Sequence, residues 1–443
     1  MVDTGATAWV LTSAALVLLM TPGLALFYGG MVRPKSVLNM MMMSFGALGL
    51  IGVLWVIYGY SMAFGDDVGA GLLGNPTQYL GLQGLMEDTT TDAGGLPAMA
   101  FVGFQAVFAI LTVALISGAI ADRVKFSTWM VFAGVWATLV YFPVAHWVFD
   151  FGNDETNPGG WIATGIEAID FAGGTAVHIN AGVAGLVLAI IIGKRRGFGR
   201  EPMRPHNLPL VMLGAGLLWF GWFGFNAGSA LGANNTAAVV WVNTLVATSA
   251  AICGWLVTER FRDGHATSLG AASGAVAGLV AITPACSAVS PIGAIILGAI
   301  AGVLCALAVG LKYKLGYDDS LDVVGVHLVG GLWGTLAIGF FAVADAPAAV
   351  SGLFDGGGLG LLGTQAVGAF AVLAYSAVVT AIIGFAIKAT MGWRIPDEDE
   401  VSGIDQHQHA EAGYDLVGSF GGHGPSAGPV AKTTTRTSEG AQA

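Results

Sequence analysis

Residues 170–185 read DFAGGTAVHINAGVAG, an aspartate, a glycine pair and a histidine set into otherwise apolar sequence. A carboxylate or imidazole at membrane depth is costly unless it faces protein or a water-filled path, so its presence there marks a functional site. A second stretch, DVVGVHLVGG at 322–331, again places a histidine after an aspartate in a glycine-bearing apolar run. His178 and His327 thus stand about 150 residues apart in matching settings, as an internal repeat would place them. One lone histidine reads as a satisfied packing residue; two in matching settings favour a shared task.

The rest of the chain supplies the membrane. Of 443 residues 55% are hydrophobic, 10% are charged and 68 are glycine, with a mean hydropathy of +0.73. These values exclude a soluble, collagen-like or disordered protein and indicate a polytopic membrane protein. Abundant glycine suits helices whose backbones approach closely in lipid. Cys253, Cys286 and Cys305 lie in apolar runs with no paired spacing, so no disulfide framework, metal site or cofactor is expected. Nor does the formal charge of −11 suggest a nucleic-acid partner.

Runs long enough to cross about 30 Å of hydrocarbon fall at roughly 9–31, 37–64, 99–121, 127–149, 172–193, 208–232, 237–258, 266–285, 290–311, 323–343 and 363–388. The expected fold is therefore an all-α polytopic membrane protein with eleven transmembrane helices. All 17 lysines and arginines follow odd-numbered spans, from Arg33 and Lys35 after the first to Lys388 and Arg394 at the last. The positive-inside rule makes that side cytoplasmic, with the N-terminus outside and the C-terminus within. No lysine or arginine precedes the first run, which continues to full spanning length, so it reads as a mature span rather than a signal peptide. Outer connections are acidic, holding Asp66, Asp67, Glu87, Asp88 and Asp92 after span 2 and Asp150, Asp154, Glu155 and Glu167 after span 4. Such a face concentrates cations modestly.

A faint repeat is also legible. LALFYGG at 24–30 in span 1 has a counterpart in WFGFNAG at 222–228 in span 6, and spans 5 and 10 carry the histidines. Because five is odd, the second five-span unit enters the membrane upside down. Spans 1–5 and 6–10 then form two inverted five-helix repeats, and span 11 is an extra C-terminal helix. Asp170 reads as the N-cap of span 5, a carboxylate on the positive end of a helix, with a direct cation ligand as the alternative. At 1.5 Å per residue His178 lies about 12 Å beyond Asp170, and His327 about 7 to 8 Å past Asp322, so the two can meet inside the membrane.

FYGGMVRPKSVLNM at 27–40, DFAGGTAVHINAG at 170–182, RPHNLP at 204–209, GWFGFNAGSA at 221–230, TPAC at 283–286 and GVHLVGG at 325–331 together resemble the ammonium transporter (Amt/Mep/Rh) family, and its bacterial Amt branch in particular. The likeness runs from about residue 8 to about residue 415. It implies a homotrimer in the cytoplasmic membrane, each subunit with its own pore. By motif, GWFGFNAGS implies Phe225 as a gate phenylalanine, Trp222 as its support and Ser229 as the serine of an outer recruitment site; FQAVFA at 104–109 implies Phe108 as the other gate ring. His178 and His327 match the family's paired pore histidines, and Asp170 its aspartate beneath the recruitment site. Aromatic faces and a hydroxyl replace part of an ammonium ion's hydration. Where the family has tryptophan closing an HxVW stretch, this chain has HWVFDFGN at 146–153, leaving Phe149, a weaker cation-π partner, with Trp147 two residues before.

Residues 1–392 therefore read as the membrane domain and 393–443 as a cytoplasmic tail. The first part of the tail resembles the family segment that packs on the pore module and docks PII-type regulators; 418–443, rich in Gly, Ser and Thr, reads as disordered. The function implied is recruitment of ammonium outside, its deprotonation, and passage of ammonia past the histidines, with no enzymatic step. Two other classes are weighed against it. A sensor of the same fold would carry an attached signalling domain, and a membrane metalloenzyme would cluster several ligands where spans 5 and 10 offer one histidine each.

Overall fold

Backbone crossing hydrocarbon has no water to bond with, so each apolar run closes its hydrogen bonds on itself as a helix. The computed structural model describes residues 2–87, 95–152 and 157–414, and its described residues form helices and turns, with three isolated bridges and no strand. The helices are α1 (Thr4–Met31), α2 (Val37–Phe64), α3 (Ala98–Ile120), α4 (Phe126–Phe149), α5 (Gly174–Ile192), α6 (Leu208–Gly228), α7 (Asn235–Asp263), α8 (Ser268–Ile282), α9 (Pro291–Leu315), α10 (Val324–Phe341) and α11 (Gly360–Thr390). Two short helices follow, α12 (Asp397–Ser402) and α13 (Ile404–His409). The protein is an all-α, multi-pass membrane protein.

Ten of these helices are long and apolar enough to span; the run expected at 266–285 is instead the 15-residue α8. At about 22 Å it is shorter than the hydrocarbon core. It stops because Pro284 supplies no N–H to extend the ladder. The fifth run begins at Gly174 rather than 172, since Gly173 at φ +115° lies in the left-handed region and breaks the helix. The sixth ends at Gly228 rather than 232, with Leu231 at φ +52° in the turn that follows.

Close backbone approach brings the elements together. Where α1 lies along α6, a Cβ on Gly214 would stand 2.3 Å from Phe27 N, so no larger residue fits. Helices α3 and α5 are buried over most of their length, whereas α2 and α11 turn residues such as Val53, Ile57, Val378 and Ile382 outward. This sorting places α5 at the centre and gives lipid an apolar wall.

The loops after α1, α3, α5 and α11 gather at one face. Arg33 lies 3.6 Å from Asp122, Lys125 donates to the Met391 carbonyl, and Arg196 pairs with Asp397. That is the face where the basic residues of those loops lie. Asp88, Asp92, Asp154 and Glu155 of the acidic connections, and the tail's expected disordered end at 418–443, fall outside the described residues.

Candidate functional site

The site starts from a helix end. The Asp170 carboxylate accepts the N–H groups of Gly173 (2.9 Å), Gly174 (2.5 Å), Thr175 (2.8 Å) and Ala176 (3.2 Å), and the Thr175 hydroxyl as well. These are the donors a helix N-terminus leaves without intrahelical partners. With its oxygens so occupied, the buried Asp170 fixes the start of α5 and hence the depth of His178. Both histidine-bearing helices open with a wide π turn, Gly174–Ile179 and Val324–Leu328, a local geometry frequent at functional sites.

These turns bring the two imidazoles together. His178 Nδ1 lies 3.2 Å from His327 Nδ1, with ring centroids 5.3 Å apart and planes 29° from parallel. Both side chains are buried, and among the described residues His178 Nε2 has no hydrogen-bond partner. A neutral pair bonded Nδ1 to Nδ1 has one donor and one acceptor there, so its two Nε2 atoms present one acceptor and one donor elsewhere.

Above the pair stands a column of rings. His178 stacks on Trp222 (5.4 Å, 23°) and on Phe225 (6.0 Å, 24°), and Phe225 lies 4.3 Å from Phe108, which packs edge-on to Phe104. Trp222 is held by its indole N–H, which donates to Thr283 Oγ1 at 2.8 Å. Ser229 follows at the end of α6, donating its hydroxyl to the Phe225 carbonyl, and lines a cavity of about 440 Å³ with Phe171, Leu231 and Asp3.

Trp147 and Phe149 belong to the same apolar cluster as these rings but have no described ring contact with the column. Trp147 donates to the Leu72 carbonyl and packs on Trp161 and Tyr375, anchoring the loop after α2. Phe149 is half-buried and borders Gly173, whose added Cβ would lie 3.6 Å from the Phe149 ring. Immediately before Trp147 lies a residue the sequence did not single out, His146, fully buried, with Nε2 3.3 Å from Asp67, and Nδ1 3.3 Å from Asp150 and 3.0 Å from the Ala63 carbonyl. It stitches the loops after α2 and α4 together.

The Ammonium Transporter Family model matches residues 8–414, nearly all of the described chain. The chain belongs to the ammonium transporter family. This family is one of transporters rather than enzymes. The chain is 62% identical over 439 residues to the ammonium transporter of Mycobacterium tuberculosis, covering 95% of this chain and 92% of that one. It is 49% identical to that of Aquifex aeolicus, covering 94% of each. Among solved structures it superposes on Saccharomyces cerevisiae Mep2 with a TM-score of 0.80 at 34% identity (90% of this chain, 88% of that one), and on a protein titled Sensor Amt Protein with 0.83 at 28% (91% and 98%).

In this family member the part of the site at the start of α10 is built by charge. The Asp319 carboxylate accepts the N–H groups of Val323 (3.1 Å) and Val324 (2.7 Å), capping α10. Asp322, the aspartate the sequence reading paired with His327, is instead bonded to Lys312 at 2.6 Å. Burial pushes the Asp319 carboxyl up to about 6, with Lys312 pulling the other way. Burial also opposes the charge on Asp318, but bonds from Arg195 outweigh it and hold Asp318 below the usual carboxylate range. Under His327, residues including Tyr28, Ser273 and Asp322 enclose about 10 Å³, room for about one water. Among the described residues no group of three His, Cys, Asp or Glu side chains converges as a metal site.

The tail of this ammonium transporter family member lies across the same face. Asp405 accepts the N–H groups of Leu38 (3.0 Å) and Asn39 (2.8 Å) at the start of α2, and Gln408 accepts that of Phe126 at the start of α4. His409 lies 3.0 Å from Asn39 Oδ1, and Tyr414 bonds His206 at 2.8 Å. Asp319 had a sequence signal that went unused, since it precedes His327 by the same eight residues that separate Asp170 from His178. Asp405 and Thr283 had none, because their partners are remote in the chain.

Proposed function

We propose that the protein carries ammonium across the cytoplasmic membrane, recruiting the ion outside, removing a proton and passing ammonia along a narrow pore. The observation that carries this reading is the buried His178–His327 pair, bonded at 3.2 Å beneath the closely packed Phe108–Phe225 rings. A bare ammonium ion loses far more hydration free energy in such surroundings than neutral ammonia does. The pair offers one donor and one acceptor without a permanent charge to repel the cation.

In this reading Ser229, Phe108, Phe149, Trp147 and Asp170 build the recruitment site, the last two as supports for its wall and floor. Phe108 and Phe225, backed by Trp222, form a gate whose rings separate for each passage. His178 and His327 line the pore. Residues 1–392 form the membrane domain, with spans 1–5 and 6–10 as inverted repeats. Counting α8 gives eleven crossings, a count supported by the ends of α5 and α11 lying on one face, which requires an even number of passes between them. That face is cytoplasmic, the N-terminus is outside, the assembly is a homotrimer, and the first part of the cytoplasmic tail at 393–443 is the docking segment for a PII-type protein.

The likeness to a protein titled Sensor Amt Protein supports a second reading, a sensor of the same fold. Uptake and current in proteoliposomes on ammonium addition separate the two. A transporter gives uptake that His178→Ala/His327→Ala reduces or makes permeable to potassium. If the assembled double variant carries ammonium at the parental rate with potassium still excluded, the histidines are structural and this mechanism fails.

A further inference from the structure

Gln365 lies fully buried near the start of α11, away from the ring column. Its Oε1 accepts the Ile169 N–H at 2.7 Å, while its Nε2 donates to the Ile169 carbonyl at 2.7 Å and to the Thr335 carbonyl at 3.3 Å. A side-chain amide here does what a neighbouring strand does, pairing both backbone groups of one residue. Ile169 immediately precedes Asp170, the cap of α5, and Thr335 lies on α10, the helix of His327. Apart from the histidines themselves, no other side chain among the described hydrogen bonds holds both histidine-bearing segments.

Among the described hydrogen bonds the backbone of Ile169 has no partner but Gln365. Asp170 and Gly173 beyond it are tied forward into the first turn of α5, and their neighbours are held by Ala168 N–H to the Ile162 carbonyl (3.1 Å) and Phe171 N–H to the Pro284 carbonyl (3.2 Å). Two half-open segments carrying facing imidazoles need a common reference if their nitrogens are to stay at 3.2 Å. We propose that Gln365 is a positioning residue of the pore, which locks the approach to α5 onto α10 and so sets the register of His178 against His327. This rests on the reading of those histidines as pore-lining.

Two substitutions test it in proteoliposomes, with rates normalised to assembled protein. Gln365→Leu removes all three bonds and should lower kcat about tenfold, since misplacements near 1 Å at a reacting centre cost that much or more, while KM is unchanged. Gln365→Glu keeps the acceptor for Ile169 N–H but, when ionised, sets a carboxylate against two carbonyl oxygens. Protonated, its O–H restores a donor. Its rate relative to the parent should therefore rise as pH falls, a dependence that space-filling alone does not produce. If Gln365→Leu fails to assemble, Gln365→Glu decides. A parental kcat for Gln365→Leu, or a Gln365→Glu to parent ratio that does not change with pH, overturns the proposal. Parental transport by the double histidine variant, measured alongside, overturns the histidine reading instead, so the two failures are told apart.

Discussion

Asp319 lies eight residues before His327 and caps the helix that carries it, accepting the N–H groups of Val323 and Val324. Asp170 stands at the same interval before His178 and caps α5 in the same way. Each imidazole is thus hung at a set depth from a buried carboxylate. The two helices meet where the histidines bond.

Asp170→Ala should strand four backbone donors and the Thr175 hydroxyl. Loss of a charged cap with buried donors is worth about 2–4 kcal/mol, and Asp170→Asn, which keeps one acceptor oxygen, about 1 kcal/mol. Apparent Tm in detergent should fall in that order. A parental Tm for Asp170→Ala together with lost transport would show the carboxylate acting on the cation instead.

Asp319 carries a pH dependence whose sign follows from burial. Its carboxyl is pushed up to about 6 in the folded protein, above the value of about 3.9 for a free aspartate. Between those values the folded state binds more protons than the unfolded one, so Asp319 detracts from stability above pH 6 and the penalty shrinks as pH falls through about 6. Parental protein should therefore gain Tm relative to Asp319→Asn on moving from about pH 7.5 to about pH 5. A difference that is constant over this window would rule the shift out.

The docked tail contains a correctable strain. Ala410 ends α13 at φ +56°, in the left-handed region, where alanine is disfavoured by about 1 kcal/mol or more and glycine is not. Ala410→Gly should slow hydrogen exchange in α13 by about fivefold. Asp405→Ala, which leaves the Leu38 and Asn39 N–H groups without their acceptor, should speed it. Equal exchange in all three proteins would mean that the tail is held by other contacts.

Orientation can be read by labelling in a Cys253→Ser background. Gln83 and Ala233 are exposed in loops expected outside, Arg204 in one expected within, whereas Asn157 is buried and suits no such test. Cysteines at the first two should react with an impermeant reagent on intact cells, and a cysteine at 204 only in inverted vesicles. The reverse pattern would invert the topology.

How the sequence relates to this structure depends on the range over which each feature is decided. The number and place of the apolar runs, the side on which basic residues gather, and the stretches around His178 and His327 are written locally, because hydrocarbon forces each long apolar run into a helix whatever its neighbours do. Even the Asp319 cap was legible in its spacing from His327. What the folded chain alone decided is contact between distant parts. Whether Asp322 served His327 or Lys312, whether Trp147 faced the ring column or the Leu72 loop, and that Gln365 would bond Ile169 across 196 residues all depended on which helices packed side by side. Those choices are made by small residues meeting at close range and by buried polar groups that must find partners once water is gone, and neither leaves a periodic mark on the sequence.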